Sequence, residues 1–259
     1  MPGDVALHYD LIGRGPVVVL LHAWTAHRGF WSRQVAALHD RWTMVAVDLR
    51  GHGASSAPPD ASYTVAGMAD DVERLIAALD VPRVALVGWS MGGILAVELA
   101  RRLGERANAL ALVGTTPGGG NDDASAGAVT AAMAADFRGF IREFAATFFK
   151  EGRDAPLYPW VAGEVEKTPP HVARACFDAF RAADVRACLP APQLPTLVLH
   201  GRHDALIPLA TAEETARRIP DARLVVLEDS GHAPLLEQPE SVNTALAELL
   251  ERAVRRRDG

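Results

Sequence analysis

Of the side chains here able to do covalent chemistry, Ser90 has the most informative surroundings. It lies at the centre of Gly88-Trp89-Ser90-Met91-Gly92. The β-formers Val84, Ala85, Leu86 and Val87 precede this stretch, and a helical pattern from Ile94 to Ala100 follows it. A serine between strand and helix sits on a sharp turn that presents its hydroxyl, and the glycines let strand and helix approach closely. The chemistry this suggests is nucleophilic attack, which needs a base within hydrogen-bond reach and a carboxylate to orient that base. So short a pattern also arises by chance, so its meaning rests on those partners.

The elements around the serine set where partners can be. Residues 5–12 read as a short strand, ending at the turn Gly13-Arg14-Gly15-Pro16. Val17–Leu21 is a continuous apolar run, the mark of a strand buried on both faces of a parallel sheet. It leads into His22-Ala23-Trp24. Residues 30–38 suit an amphipathic helix, and residues 44–47 a second buried strand that ends at Asp48-Leu49-Arg50-Gly51-His52-Gly53. Thr64 can cap a helix whose apolar face is Met68, Val72, Leu75, Ile76 and Leu79. After the serine's own strand and helix comes a strand at 109–113. The alternation predicts βαβ units and a mostly parallel sheet.

The rhythm stops at Gly118-Gly119-Gly120-Asn121-Asp122-Asp123, and from about 126 to 189 the pattern is helical. It resumes with a strand at 196–200, a helix at 211–219, a strand at Arg223–Leu227 and a helix at 241–255. The expectation is one α/β core, residues 1–117 and 191–259, interrupted by a helical insertion over 118–190.

Catalytic groups in such sheets collect at the carboxyl ends of strands, which filters the nine histidines. His232, in Ser230-Gly231-His232-Ala233-Pro234, lies just beyond the strand at 223–227. Asp204, in His200-Gly201-Arg202-His203-Asp204, lies just beyond the strand at 196–200. The expected base is therefore His232 and the expected acid Asp204, in the chain order serine, acid, histidine. Asp229 and Asp48 are rivals for the acid, and His203 for the base. His22 and His52 read as loop-holding residues. One oxyanion donor is expected at the Met91 N–H, at the amino end of the helix after the serine.

With these residues in place the chain resembles the α/β-hydrolase superfamily over about residues 5–253, on His22-Ala23-Trp24, Asp48–Gly53, Gly88–Gly92, His200–Asp204 and Ser230–His232. Within it the chain is most similar to small bacterial carboxylesterases, including the haloperoxidase-like esterases, enol-lactonases and pimeloyl-carrier methyl esterases. The resemblance implies the α/β-hydrolase fold, a helical cap over the site, and the Trp24 N–H as second oxyanion donor. Ala23 departs from the glycine usual before that donor. If the position needs a positive φ, alanine there costs about 1 kcal/mol. The implied activity is hydrolysis of a carboxylic ester through an acyl-serine, with no metal or organic cofactor. Lactone or C–C bond hydrolysis by the same residues remains open, as does a ligand-sensing regulator without catalysis. Dehalogenases and epoxide hydrolases of this fold use an aspartate where this chain has Ser90.

The insertion carries Phe137, Phe140, Phe144 and Phe148 at helical spacing, with Trp160, Phe177 and Phe180 later. Of these, Phe137, Phe140, Phe144 and Trp160, with Trp89 beside the serine, are the expected walls of a pocket for an apolar acyl or alkyl group. Arg138 and Arg142 resemble a docking patch for an acidic carrier protein, though arginines on a helix ordinarily just solvate it.

Composition narrows the partners. The 259 residues carry a formal charge of −6, 49% hydrophobic and 22% charged residues. No long basic run precedes Arg255-Arg256-Arg257, read as a solvated helix end, so nucleic acid is not an expected partner. The start lacks a signal-peptide pattern and no apolar stretch reaches a membrane span, so the expected location is the cytoplasm. Cys176 and Cys188 form no metal pattern and read as free thiols, with one bridge between them left open.

Overall fold

The computed structural model describes residues 5–59, 61–118, 123–189 and 194–256. Residues 1–4, most of the glycine-rich boundary, the end of the insertion at 190 and Arg257 lie outside them. The chain begins with β1 (Tyr9–Gly13) and β2 (Val17–Leu21), then a 3₁₀ turn (Arg28–Trp31), α1 (Ser32–Leu38) and β3 (Thr43–Val47). It continues through α2 (Val65–Ala78), β4 (Val84–Trp89), α3 (Met91–Leu103) and β5 (Ala107–Val113). Four helices follow without a strand element between them: α4 (Asp123–Ala135), α5 (Phe137–Ala146), α6 (Tyr158–Val165) and α7 (Pro170–Arg181). The alternation returns with β6 (Thr196–Gly201), α8 (Leu209–Arg218), β7 (Arg223–Leu227), α9 (Pro234–Glu237) and α10 (Pro239–Arg255).

The seven strands form one sheet in the order β1-β3-β2-β4-β5-β6-β7, and only β1 pairs antiparallel among the described strands. This is the expected α/β fold, with an antiparallel edge added. All residues of β2, β4 and β6 are buried, which explains why they read as unbroken apolar runs. β7 is mostly half-exposed because it is the far edge. The Thr64 hydroxyl caps α2 by accepting from the Gly67 N–H at 3.1 Å. Met68, Val72, Leu75 and Ile76 of α2 are buried as their spacing required, with Leu79 partly so.

Topology chooses the place of the site. From β2 the chain steps to β3 on one side, then crosses to β4 on the other. The strand order reverses at β2, and a crevice opens there at the carboxyl ends. The His22-Ala23-Trp24 loop leaves β2 and the Ser90 turn leaves β4 at this point. β6 and β7 end on the same edge of the sheet, delivering Asp204 and His232.

Glycine makes the serine's turn possible. A Cβ on Gly88 would lie 2.1 Å from the Gly92 carbonyl oxygen, and one on Gly92 would lie 2.2 Å from that of Leu21. Gly163 in α6 would meet nothing within 4 Å. Gly92→Ala should therefore cost about 2 kcal/mol or more of stability, whereas Gly163→Ala should add about 0.5–1 kcal/mol. Urea unfolding midpoints of the two variants check the contrast, and equal midpoints would contradict it.

Candidate active site

Ser90 has φ 52 and ψ −116, outside the regions an L-residue ordinarily occupies. Its surroundings over-determine that conformation. The Ser90 N–H donates to the Val113 carbonyl at 2.9 Å, and the Ser90 carbonyl accepts from Gly93 N–H at 2.8 Å and Thr115 Oγ1 at 2.7 Å. The next residue, Met91, opens α3, so the positive end of the helix dipole lies beside the serine.

Asp204 and His232 come together across the loops after β6 and β7. His232 Nδ1 donates to Asp204 Oδ2 at 2.8 Å, and Asp204 Oδ1 accepts from the Leu206 and Ile207 amides at 2.8 and 2.9 Å. With Nδ1 committed, the tautomer leaves Nε2 as the basic nitrogen. Burial alone would raise the Asp204 carboxyl, but the His232 imidazole and the Ile207 N–H outweigh it and hold the group below the usual carboxylate range. His200 sits behind the acid, donating from Nε2 to the Ile207 carbonyl at 2.9 Å and lying 3.5 Å from Asp204 Oδ2. His203, the rival of His232 for the base, is exposed, and Asp229, a rival for the acid, is an exposed partner of Lys150 at 2.9 Å.

The His232 loop is latched on both sides. The Glu237 carboxylate accepts from Ser230 Oγ, Gly231 N–H and Lys150 N–H, each at 2.8 Å. The Ala233 N–H donates to the Phe148 carbonyl, and the Trp89 indole donates to the His232 carbonyl, both at 2.8 Å. Glu237 was not legible in the sequence, because nothing local places the Lys150 amide beside it.

Asp48, the other rival for the acid, is a loop anchor. Fully buried, it accepts from Arg28 N–H at 2.7 Å, Arg28 Nη1 at 2.6 Å and Ala54 N–H at 2.8 Å. His22 donates from Nδ1 to the Ala23 carbonyl at 2.7 Å and accepts at Nε2 from the Leu49 N–H at 2.9 Å, so it ties the β2 and β3 loops together in its neutral form. Burial, then the nearby His52, holds its pKa well below the ordinary value. His52 donates to the Arg50 carbonyl at 3.0 Å and is pulled down to about 4, chiefly by burial.

The loop after β2 departs from expectation. Ala23 is not in the left-handed region, so the feared alanine strain is absent; the strained residue is Thr25, at φ 61. Neither the Trp24 nor the Met91 amide N–H has an acceptor among the described residues, and both residues line the cavity that holds Ser90 and His232.

That cavity has a volume of about 210 Å³. Its apolar walls come from Trp24 and Ile94 of the core and from Phe144, Phe177 and Phe180 of the inserted helices. Of the five expected walls only Phe144 lines it. Trp89 points the other way, fully buried against Phe30 and Phe148. Phe140 stacks behind Phe144 at 6.4 Å, Phe137 is half-buried against the core, and Trp160 packs on Phe30 with 39% of its surface exposed. Helical spacing marks an apolar face but not which of its residues reach a cavity. Arg181 and Cys176 also line the cavity, and neither was expected there. Cys176 and Cys188 are both free, so no bridge joins them, and burial pushes the Cys176 thiol upward. Arg142 is taken up by Glu166 at 2.9 Å, which weakens the basic patch imagined with Arg138. Among the described residues no cluster could hold a metal ion, and no helix is long and apolar enough to cross a membrane.

Comparison with known proteins agrees with this fold. The model of the alpha/beta hydrolase fold family matches residues 16–239. A pimeloyl-acyl-carrier-protein methyl ester esterase of Nitrosomonas europaea is 31% identical, over 91% of this chain and 96% of its own. 3-Oxoadipate enol-lactonase 2 of Acinetobacter baylyi is 28% identical, over 96% and 94%. Among solved structures, an esterase from Exiguobacterium antarcticum superposes with a TM-score of 0.89 at 29% identity, covering 95% of this chain and 96% of that one.

The buried histidines give the site an acid limit. An unfolded His52 takes its proton near pH 6.5, whereas the folded one takes it only near 4. As pH falls between those values the unfolded state gains protons that the native state refuses, and stability drops. From pH 7 to pH 5 His52 alone should remove about 2 kcal/mol. Urea unfolding at both pH values should show a drop smaller by that amount in His52→Phe, and an unchanged drop would contradict the assignment.

Proposed function

Since the chain belongs to the alpha/beta hydrolase family, we propose that it is a carboxylic ester hydrolase in which Ser90 is the nucleophile, His232 the base and Asp204 the orienting acid. The observation that carries the reading is the 2.8 Å Asp204–His232 pair, whose imidazole lines the same cavity as a serine at the head of a helix. Relatives named as esterases and an enol-lactonase support the reaction class.

His232 Nε2 takes the Ser90 proton as Oγ attacks the ester carbonyl. The N–H groups of Met91 and Trp24 receive the developing oxyanion, which is where two unpaired donors have most effect. His232 then protonates the leaving alcohol, and the tetrahedral intermediate collapses to an acyl-serine. Water, activated by the same imidazole, releases the acid. Asp204 keeps Nδ1 protonated and stabilises the imidazolium. No step calls for a metal or an organic cofactor.

The inserted helices act as the cap, with boundaries proposed at 118 and 190, and their aromatic rings receive the apolar part of the substrate. A cavity of about 210 Å³ holds roughly seven water-sized groups, which fits a short acyl chain or one ring. The reading places the enzyme in the cytoplasm, acting on a small molecule. An acidic carrier as partner gains nothing from Arg142, which already has Glu166.

A series of p-nitrophenyl esters from acetate to dodecanoate, run beside simple lactones, tests the proposal. The expected result is turnover highest at about two to six acyl carbons, with Ser90→Ala reduced at least about 10³-fold. Turnover confined to lactones would move the substrate assignment to lactone hydrolysis. Release of a single equivalent of nitrophenol would favour a ligand sensor, and a Ser90→Ala protein at wild-type rate would refute the nucleophile.

A further inference from the structure

The loop bearing Trp24 contains an expensive residue. Thr25 is β-branched, buried and held at φ 61, a conformation that costs about 1–3 kcal/mol and persists only where the surroundings enforce it. Part of the enforcement is local, the Thr25 hydroxyl donating to the Trp24 carbonyl at 2.7 Å and the Ala26 N–H to the Ala23 carbonyl at 3.1 Å; the rest comes from the insertion, far away in sequence. Thr168 Oγ1 donates to the Thr25 carbonyl at 3.1 Å, and the Trp24 indole N–H donates to the Ala173 carbonyl at 2.8 Å. The Trp24 ring also packs edge-on against Phe144 at 4.8 Å. Thr168 is itself buried and is followed by Pro169 and Pro170, which open α7. A residue before proline is confined to extended backbone, so the hydroxyl is presented from a stiff segment.

Resting on the reading of Trp24 N–H as an oxyanion donor, we propose that Thr168 is a positioning residue that holds this donor in place through the strained Thr25. The cap then completes the oxyanion hole as well as roofing it. Without the Thr168 hydroxyl, Thr25 can relax towards ordinary backbone angles, and the shift of the Trp24–Thr25 peptide carries over to the Trp24 N–H, one peptide further back along the same tight loop. The loss falls on the oxyanion and leaves the bound ester nearly untouched, because the donor matters most where negative charge develops.

The test uses the full chain with Thr168→Val, which keeps the shape and removes the hydroxyl, and Thr168→Ser, which returns it. Readouts are kcat and KM on p-nitrophenyl butyrate, and Ki for a trifluoromethyl ketone, whose adduct with Ser90 carries an oxyanion. In Thr168→Val, kcat should fall about tenfold and Ki rise by a similar factor, with KM within twofold. Thr168→Ser should recover most of both. If the valine protein does not fold, Thr168→Ala gives the same readouts without steric demand. Values of kcat and Ki within twofold of wild type in the hydroxyl-free variant overturn the inference, as does a rise in KM alone. Ser90→Ala run in parallel separates the cases: if it stays active, or if wild type hydrolyses no ester, the functional reading has failed rather than the role of Thr168.

Discussion

A serine at φ 52 and ψ −116 can be kept only if everything touching its turn is small or already committed to it. The glycines at 88 and 92 satisfy the first condition, because β4, α3 and the end of β2 approach so closely that a methyl group would overlap backbone oxygens. The carbonyl of Val113 and the hydroxyl of Thr115 satisfy the second. Position follows from the same packing. Gly92 against the Leu21 carbonyl brings the head of α3 beside the loop that carries Trp24. A larger residue there would part the two proposed oxyanion donors as well as destabilise the fold.

Around this turn, the loops are held by buried polar groups that are neutral or fully paired. His22 and His52 stay uncharged in the interior, and Asp48 spends its charge on Arg28 and two backbone amides. Glu237 performs the corresponding service for the His232 loop, with burial pushing its carboxyl upward and three donors keeping it occupied. In low dielectric each of these groups would be costly if left alone, so the loops they join are fixed together. The inserted helices share in this, touching the His232 loop at Phe148 and Lys150 and the Trp24 loop at Thr168 and Ala173.

What could be read from the sequence was whatever depends on local chemistry and strand ends. Ser90 and Asp204 each follow a buried apolar run and His232 follows the half-exposed edge strand β7, so their placement at one end of a parallel sheet needed only the alternation of elements. The pocket walls depend on how the inserted helices dock, and local pattern does not encode that. Phe137, Phe140 and Phe144 share an apolar face of α5, yet only Phe144 reaches the cavity, while Trp89 turns inward although it adjoins the serine. Strain was foreseen at the right loop but at the wrong residue. Ala23 stands where a glycine was expected, and the left-handed position lies two residues later, at Thr25. Thr168 and Glu237 carry no sequence signal, since their partners lie 143 and up to 87 residues away.

The central claim is that one serine, oriented by this turn, becomes covalently acylated. Reaction with a fluorophosphonate followed by peptide mass spectrometry tests it directly. The account predicts a single adduct on the peptide containing Ser90, formed as activity is lost and absent in His232→Ala over the same time. An adduct on another residue, or full inactivation with Ser90 unmodified, would contradict it.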